Sequence, residues 1–266
     1  MTRGGQFEAN LREGRDARRK LLVAYVTAGM VPEWVEVVHA LAAAGADAIE
    51  IGIPFSDPMI DGPTIQRASS MALEAGTTPS KVLDSLGRET FGVPLAVMTY
   101  YNLVFRAGHR RFAGSLAEAG VGAAILPDLS LEESGPWCEE EDRAGIDTVM
   151  LEAPSTPDER AARICSRARG FVYAVGVMGV TGERSALALS AHSLAVRLRP
   201  LTDLPICIGI GISSASQAAE ACAHADGVVV GSALVRRLID GAGPAGAAEF
   251  FGELRVAVDA AAASGL

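Results

Sequence analysis

A supersecondary pattern recurs through the chain: an Ala-rich helical stretch ends in Gly or Asp, and a short β-branched run follows at once. Copies stand at Ala43-Ala44-Gly45-Ala46-Asp47 before Ala48 to Ile53, and at Ala119-Gly120-Val121-Gly122 before Ala123 to Leu126. Others are Ala144-Gly145-Ile146-Asp147 before Thr148 to Leu151, and His224-Ala225-Asp226 before Gly227 to Val230. Glycine just past a helix end supplies the left-handed cap, and the next residues turn the chain into a strand. The copies are separated by one or three times roughly 25 residues, the length of consecutive βα units.

The gaps then call for hidden units. Further strands read at Leu21 to Thr27, Pro94 to Thr99, Phe171 to Val175 and Pro205 to Gly209, making eight. Amphipathic stretches at Glu33 to Ala43, Arg111 to Ala119, Asp158 to Arg167, Ser193 to Leu198 and Ser214 to Cys222 supply helices between them. Eight strands alternating with helices over about 250 residues is the size and order of a single-domain (β/α)8 TIM barrel. The expected layout is a leading helical segment over 1–20, with Phe7 and Leu11 on one face, a barrel over 21–240 and a C-terminal helix over 241–266. An open doubly wound sheet is the rival, weakened because no GxGxxG follows the first strand.

Composition narrows the partners. Lys plus Arg total 23 against 32 Asp plus Glu, and the net charge of −9 argues against a broad nucleic-acid or anionic-membrane footprint. The four cysteines show no CxxC spacing and the four histidines no ligand cluster, so no metal is expected. Met1 to Lys20 lacks an apolar signal core, and no apolar run is long enough to span a bilayer. A cytoplasmic location is the expectation.

Barrel active sites lie at the C-terminal ends of the strands. Glu50 is the one charge in the otherwise apolar run Ala48 to Ile53, and Asp61 stands in the long loop that follows. Burial would raise the Glu50 pKa and suit it to acid/base work, although an ion pair inside the barrel would hold it equally well. Gly209-Ile210-Gly211-Ile212-Ser213 and Gly231-Ser232-Ala233 close the last two strands and read as a phosphate cradle of backbone N–H groups and a helix N-terminus. The glycine-rich segment Gly176 to Ser185 reads as an active-site loop. Tyr100, Tyr101, Asn102, Asp128 and Tyr173 fall on the same end of the barrel, where each could equally be a core or capping residue.

Taken together, these motifs resemble the tryptophan synthase α-chain family over nearly the whole length. The resemblance rests on Glu50 to Pro58, Asp61-Gly62-Pro63-Thr64-Ile65-Gln66, Met98 to Asn102, Pro127-Asp128-Leu129, Pro154 to Pro157, Gly179 to Gly182, Gly209 to Ser213 and Gly231 to Ala233. It implies retro-aldol cleavage of indole-3-glycerol phosphate to indole and glyceraldehyde 3-phosphate, with no cofactor in this chain. By that match Glu50 is the general acid/base, Asp61 accepts the indole N–H, Tyr173 lies beside Glu50, and Thr181 belongs to a closing loop. Phosphate would meet Gly182, Gly211, Gly231 and Ser232, and the indole slot would be lined by Tyr25, Ile65, Met98, Ile125 and Leu151. A pyridoxal-phosphate β chain is the implied partner in an α2β2 heterotetramer, touching Asp57 and Pro58.

Departures from the family pattern stand at Met59 and Ile60, where relatives commonly read Leu-Ala before the Asp, and at Ala174, Gly176, Met178 and Ile210. Glu152 stands where an apolar or small residue is expected and reads as a rim carboxylate in solvent. Clustered near partner-facing loops, these changes keep two alternatives in view: a stand-alone lyase that releases indole, and a catalytically weak allosteric partner subunit. A phosphate-binding isomerase on the same scaffold is a further rival, which the Pro54 to Pro58 element followed by Asp61-Gly62 argues against.

Overall fold

In the computed structural model, which describes residues 4–176, 193–209 and 211–263, eight parallel strands close into a barrel in chain order. They are β1 Leu21–Thr27, β2 Ala48–Gly52, β3 Leu95–Met98, β4 Ala123–Ile125, β5 Asp147–Glu152, β6 Val172–Val175, β7 Ile206–Gly209 and β8 Gly227–Val230. Closure runs through β1 and β8, where Leu21 pairs with Gly227 and Ala24 with Val230. An open sheet has no such pairing, so the doubly wound alternative falls.

The expected helices form at Trp34–Ala43, His109–Glu118, Asp158–Arg167 and Ala215–Cys222, residues 193–198 are helical, and Gly243–Ala263 forms the C-terminal helix. Three helices escaped the pattern reading: Pro63–Glu74, Pro79–Leu86 and Tyr101–Ala107. Two of them open with proline, which reads as a breaker in sequence but is well suited to a first helical turn, where its missing N–H costs nothing.

Alternation along the strands divides the apolar residues into two layers. Val23, Ala48, Ala96, Ile125, Val149, Phe171, Cys207 and Val229 form the barrel interior. Their neighbours Ala24, Ile49, Val97, Ala124 and Val228 pack outward under the helices. Phe7 and Leu11, from the leading helix Gln6–Asp16, join the interior cluster and are almost fully buried. A Cβ on Gly122 or Gly170 would lie 3.0 or 3.2 Å from Phe7, so these glycines make room for its ring. Asp147 secures that helix by accepting from Gly5 N at 2.6 Å and Glu8 N at 2.8 Å. With the N-terminal end plugged, the C-terminal end is where a ligand can enter.

Candidate active site

Glu50, on β2, is 0% exposed, and neither carboxylate oxygen has a hydrogen-bond partner among the described residues. Among the described residues no ion pair holds it in a structural role. Burial, with a smaller contribution from the charge of Asp61, pushes its pKa up to about 8. Tyr25 sits in register beside Glu50, its hydroxyl accepting from Thr27 Oγ1 at 3.2 Å. Tyr173 feels the Glu50 charge from β6, and its phenol is pushed well above the ordinary value chiefly by burial. Both rings occupy space left by glycine: a Cβ on Gly52 would lie 2.1 Å from Tyr25 Oη, and one on Gly209 would lie 2.5 Å from Tyr173 Cε1.

Asp61 reaches the same mouth from the β2 loop. Tyr100 Oη donates to Asp61 Oδ2 at 3.0 Å and accepts from Ile60 N at 3.2 Å. The Tyr100 ring stacks on Phe55, centroids 4.9 Å apart and planes 21° apart, so β3 and the two ends of the loop are tied together. Gln66 Nε2 holds the loop from the other side, donating to the Asp61 carbonyl at 2.9 Å. Burial raises the Asp61 pKa while the Tyr100 hydrogen bond pulls it back. The sequence singled out Tyr100 only as one of several tyrosines, because nothing in a separation of 39 residues announces the bond.

Met98, Leu151 and Tyr173 pack against the interior cluster that contains Ile125, which puts an apolar wall beside the carboxylates. Ile65, on Pro63–Glu74, packs instead against the larger cluster that also holds Tyr25. Gly211 takes a left-handed φ of 64°, open to glycine at little cost, and Gly231 precedes the helix Ser232–Ile239 at the end of β8. Thr181 and Gly182 lie outside the described residues, as do Met178 and Ile210.

A carboxylate pair beside an apolar wall, with a glycine turn after β7 and a helix start after β8, is a site that several barrel enzymes could share. Sequence likeness decides among them. The family model described as tryptophan synthase alpha chain matches residues 11–254.

The chain belongs to the tryptophan synthase alpha chain family. The tryptophan synthase alpha chain of Streptomyces coelicolor is 46% identical over 232 residues, 86% of this chain and 84% of its own length. That of Synechococcus sp. is 43% identical over 265 residues, 96% of each chain. In crystal structures of tryptophan synthase from M. tuberculosis, a chain 36% identical superposes with a TM-score of 0.88, covering 96% of this chain and 99% of that one.

Against the family pattern, Glu152 corrects the reading from sequence. It is fully buried, not a solvent-exposed rim residue, and its carboxylate oxygens have no hydrogen-bond partner among the described residues. Alternation on β5 sends Leu151 inward and Glu152 outward, beneath the helix Asp158–Arg167. Burial raises its pKa; the nearby Thr156 hydroxyl opposes that rise most, and the charges of Arg197 and Arg160 oppose it less. Asp128 has a structural role: its two oxygens accept from Tyr101 N at 2.9 and 3.1 Å, holding the start of Tyr101–Ala107. Glu141 was not anticipated. It is buried in the helix Gly135–Ala144, accepts from Thr148 Oγ1, and is pushed up to about 8 by burial. No group of metal-ligating residues occurs among the described residues, and no described helix is long and apolar enough to cross a membrane.

Proposed function

We propose that this chain performs the retro-aldol cleavage of indole-3-glycerol phosphate with Glu50 and Asp61 as its acting carboxyl groups. The supporting observation is the state of Glu50: buried, without a hydrogen-bond partner among the described residues, and with its pKa pushed up to about 8. At neutral pH it is largely protonated, as a proton donor to carbon must be. Glu50 gives its proton to C3 of the indole ring, and the ring nitrogen becomes cationic. Asp61 accepts the ring N–H and stabilises that positive charge, an interaction strengthened where water is excluded. Glu50, now a carboxylate, takes the proton from the adjacent side-chain hydroxyl. The bond between C3 and that carbon breaks, its electron pair returns to the ring, and the hydroxyl carbon becomes the aldehyde of glyceraldehyde 3-phosphate. Glu50 is reprotonated in the same cycle.

Tyr25, Met98, Ile125, Leu151 and Tyr173 would give the indole flat apolar contact, with Ile65 behind them. Gly211, Gly231 and Ser232, with Gly182, would meet the phosphate through backbone N–H groups. No cofactor enters these steps; pyridoxal phosphate belongs to the β chain.

We also infer a β-chain partner in an α2β2 assembly, working in the cytoplasm. Met59 is 89% exposed and Ile60 56%, side by side at the tip that follows Asp57 and Pro58. Two large apolar side chains held out by an anchored loop suit a covered surface better than a free one. Steady-state cleavage by the purified chain, by its Glu50→Gln variant, and by each with a β chain added tests the reading. Unimpaired cleavage by Glu50→Gln would sink the catalytic assignment, and fast turnover that a β chain leaves unchanged would favour a stand-alone lyase.

A further inference from the structure

The barrel wall is incomplete on one side of the indole slot. β4 has only three residues, and its pairing to β5 ends at Ile125 with Val149. β5 continues through Met150, Leu151 and Glu152, which pair with β6 alone. Past Ile125 the chain leaves the sheet as the loop leading to Gly135–Ala144, so the β4-facing edge of Met150 and Leu151 has no strand beside it. A cavity of about 580 Å³ occupies this gap. It begins at the mouth with Ile60, Leu151 and Val175 and runs outward to Met150, Trp137 and Ile164, between two helices.

Leu151 therefore faces both the slot and the cavity. Most polar groups on the cavity wall have partners: Thr148 Oγ1 donates to Glu141, Ser134 Oγ donates to the Leu131 carbonyl, and Asp128 accepts from Tyr101 N, while Arg160 donates to Glu132 and leaves its Nε without a partner among the described residues. Away from Arg160 the wall is mainly apolar, with Leu126, Leu129, Met150, Leu151 and Ile164 in it, and holds water poorly there. We propose that this cavity is a side pocket of the indole slot that admits substituents on the benzo ring of the substrate, so that ring-substituted indole glycerol phosphates are substrates of this chain. The inference rests on the lyase reading above, because it takes the ring to lie between Asp61 and Leu151.

A methyl- or chloro-sized group placed in such a pocket gains about fourfold in binding, which offsets the crowding that a closed slot would impose. The reverse reaction gives a direct assay: condensation of glyceraldehyde 3-phosphate with indole, and with indoles carrying one chloro or methyl group on the benzo ring. For at least one ring position kcat/KM should fall within about threefold of indole. Ala153→Phe, and independently Leu129→Phe, place a ring in the cavity away from the carboxylates. Each should leave condensation of indole within about twofold and lower that of the accepted substituted indole about tenfold. Rejection of every substituted indole by the wild-type chain, or fill-in variants that discriminate no better than wild type, would overturn the side pocket. Failure with indole itself would instead remove the lyase reading, and the pocket's proposed role with it.

Discussion

The Tyr100 hydroxyl stands between Asp61 and the backbone next to it, donating to Asp61 Oδ2 at 3.0 Å while accepting from Ile60 N at 3.2 Å. One side chain just past the end of β3 thus sets both where the Asp61 carboxylate points and how readily it ionises. Burial alone would push Asp61 toward its neutral form, which has no negative charge to set against a cationic ring, and the Tyr100 bond opposes that.

Tyr100→Phe keeps the ring that stacks on Phe55 and removes only the hydroxyl. A hydrogen bond to a charged group is worth about 1.5 kcal/mol or somewhat more, so kcat/KM for cleavage should fall about tenfold. The Asp61 pKa should rise, moving the acid limb of the pH–rate profile to higher pH. A profile that keeps its acid limb in place would show that Tyr100 does not tune Asp61.

Glu50→Gln should lower the rate of cleavage by about two to four orders of magnitude, the usual contribution of a positioned acid/base. In the wild-type enzyme activity should decline on the basic side as Glu50 loses its proton near 8.

The same residue carries a stability cost with a definite sign. Its folded pKa of about 8 exceeds the ordinary 4.5, so the native state binds the proton more tightly than the unfolded state. Stability is favoured below 4.5, declines as pH rises between those values, and levels off above about 8. Glu50→Gln should therefore melt at a higher temperature than wild type at alkaline pH, with the difference fading in acid. Thermal melts of both proteins across pH would refute this if the two curves ran parallel.

Phe7 closes the floor of the barrel from outside the βα repeat. Truncating it to Ala should destabilise the fold by about 3–5 kcal/mol, seen as a lower urea midpoint. A change under about 1 kcal/mol would mean the floor collapses around the gap.

Glu152 is buried with no hydrogen-bond partner in the geometry of the described residues, Thr156 standing nearby, while Arg197 and Arg160 remain partly in solvent. Desolvation there outweighs attraction, so the apolar, similarly sized Glu152→Met should be neutral or stabilising by about 1 kcal/mol in urea unfolding. Marked destabilisation would show that the two arginines depend on the carboxylate.

Met59→Glu places a charge on the exposed apolar tip. Cleavage by the lone chain should be unchanged, while affinity for a β chain measured by titration calorimetry should drop about tenfold or more. Equal affinity would place the interface elsewhere.

Much of this molecule follows from local pattern. Each Gly- or Asp-marked helix end followed by a β-branched run is a short-range signal; four such copies, with four more strands read in the gaps between them, leave a closed parallel barrel as the compact way to bury every strand on both faces. Glu50 was legible for the same reason, as one charge inside an apolar strand whose burial could be inferred without knowing its neighbours. The helices Pro63–Glu74 and Pro79–Leu86 were not, because proline marks helix starts and loops alike.

Tertiary structure decided what depends on which surfaces meet. Asp147 caps a helix 139 residues away, Tyr100 finds Asp61 across 39, and the helix layer turns an expected rim position into the buried Glu152. Alternation along β5 shows that Glu152 faces away from the barrel interior, but only the packed helices determine whether that outer space is water or protein. A residue's periodicity is set by its own stretch of backbone; its solvent, its partner and therefore its charge are set by chain that lies far away in sequence.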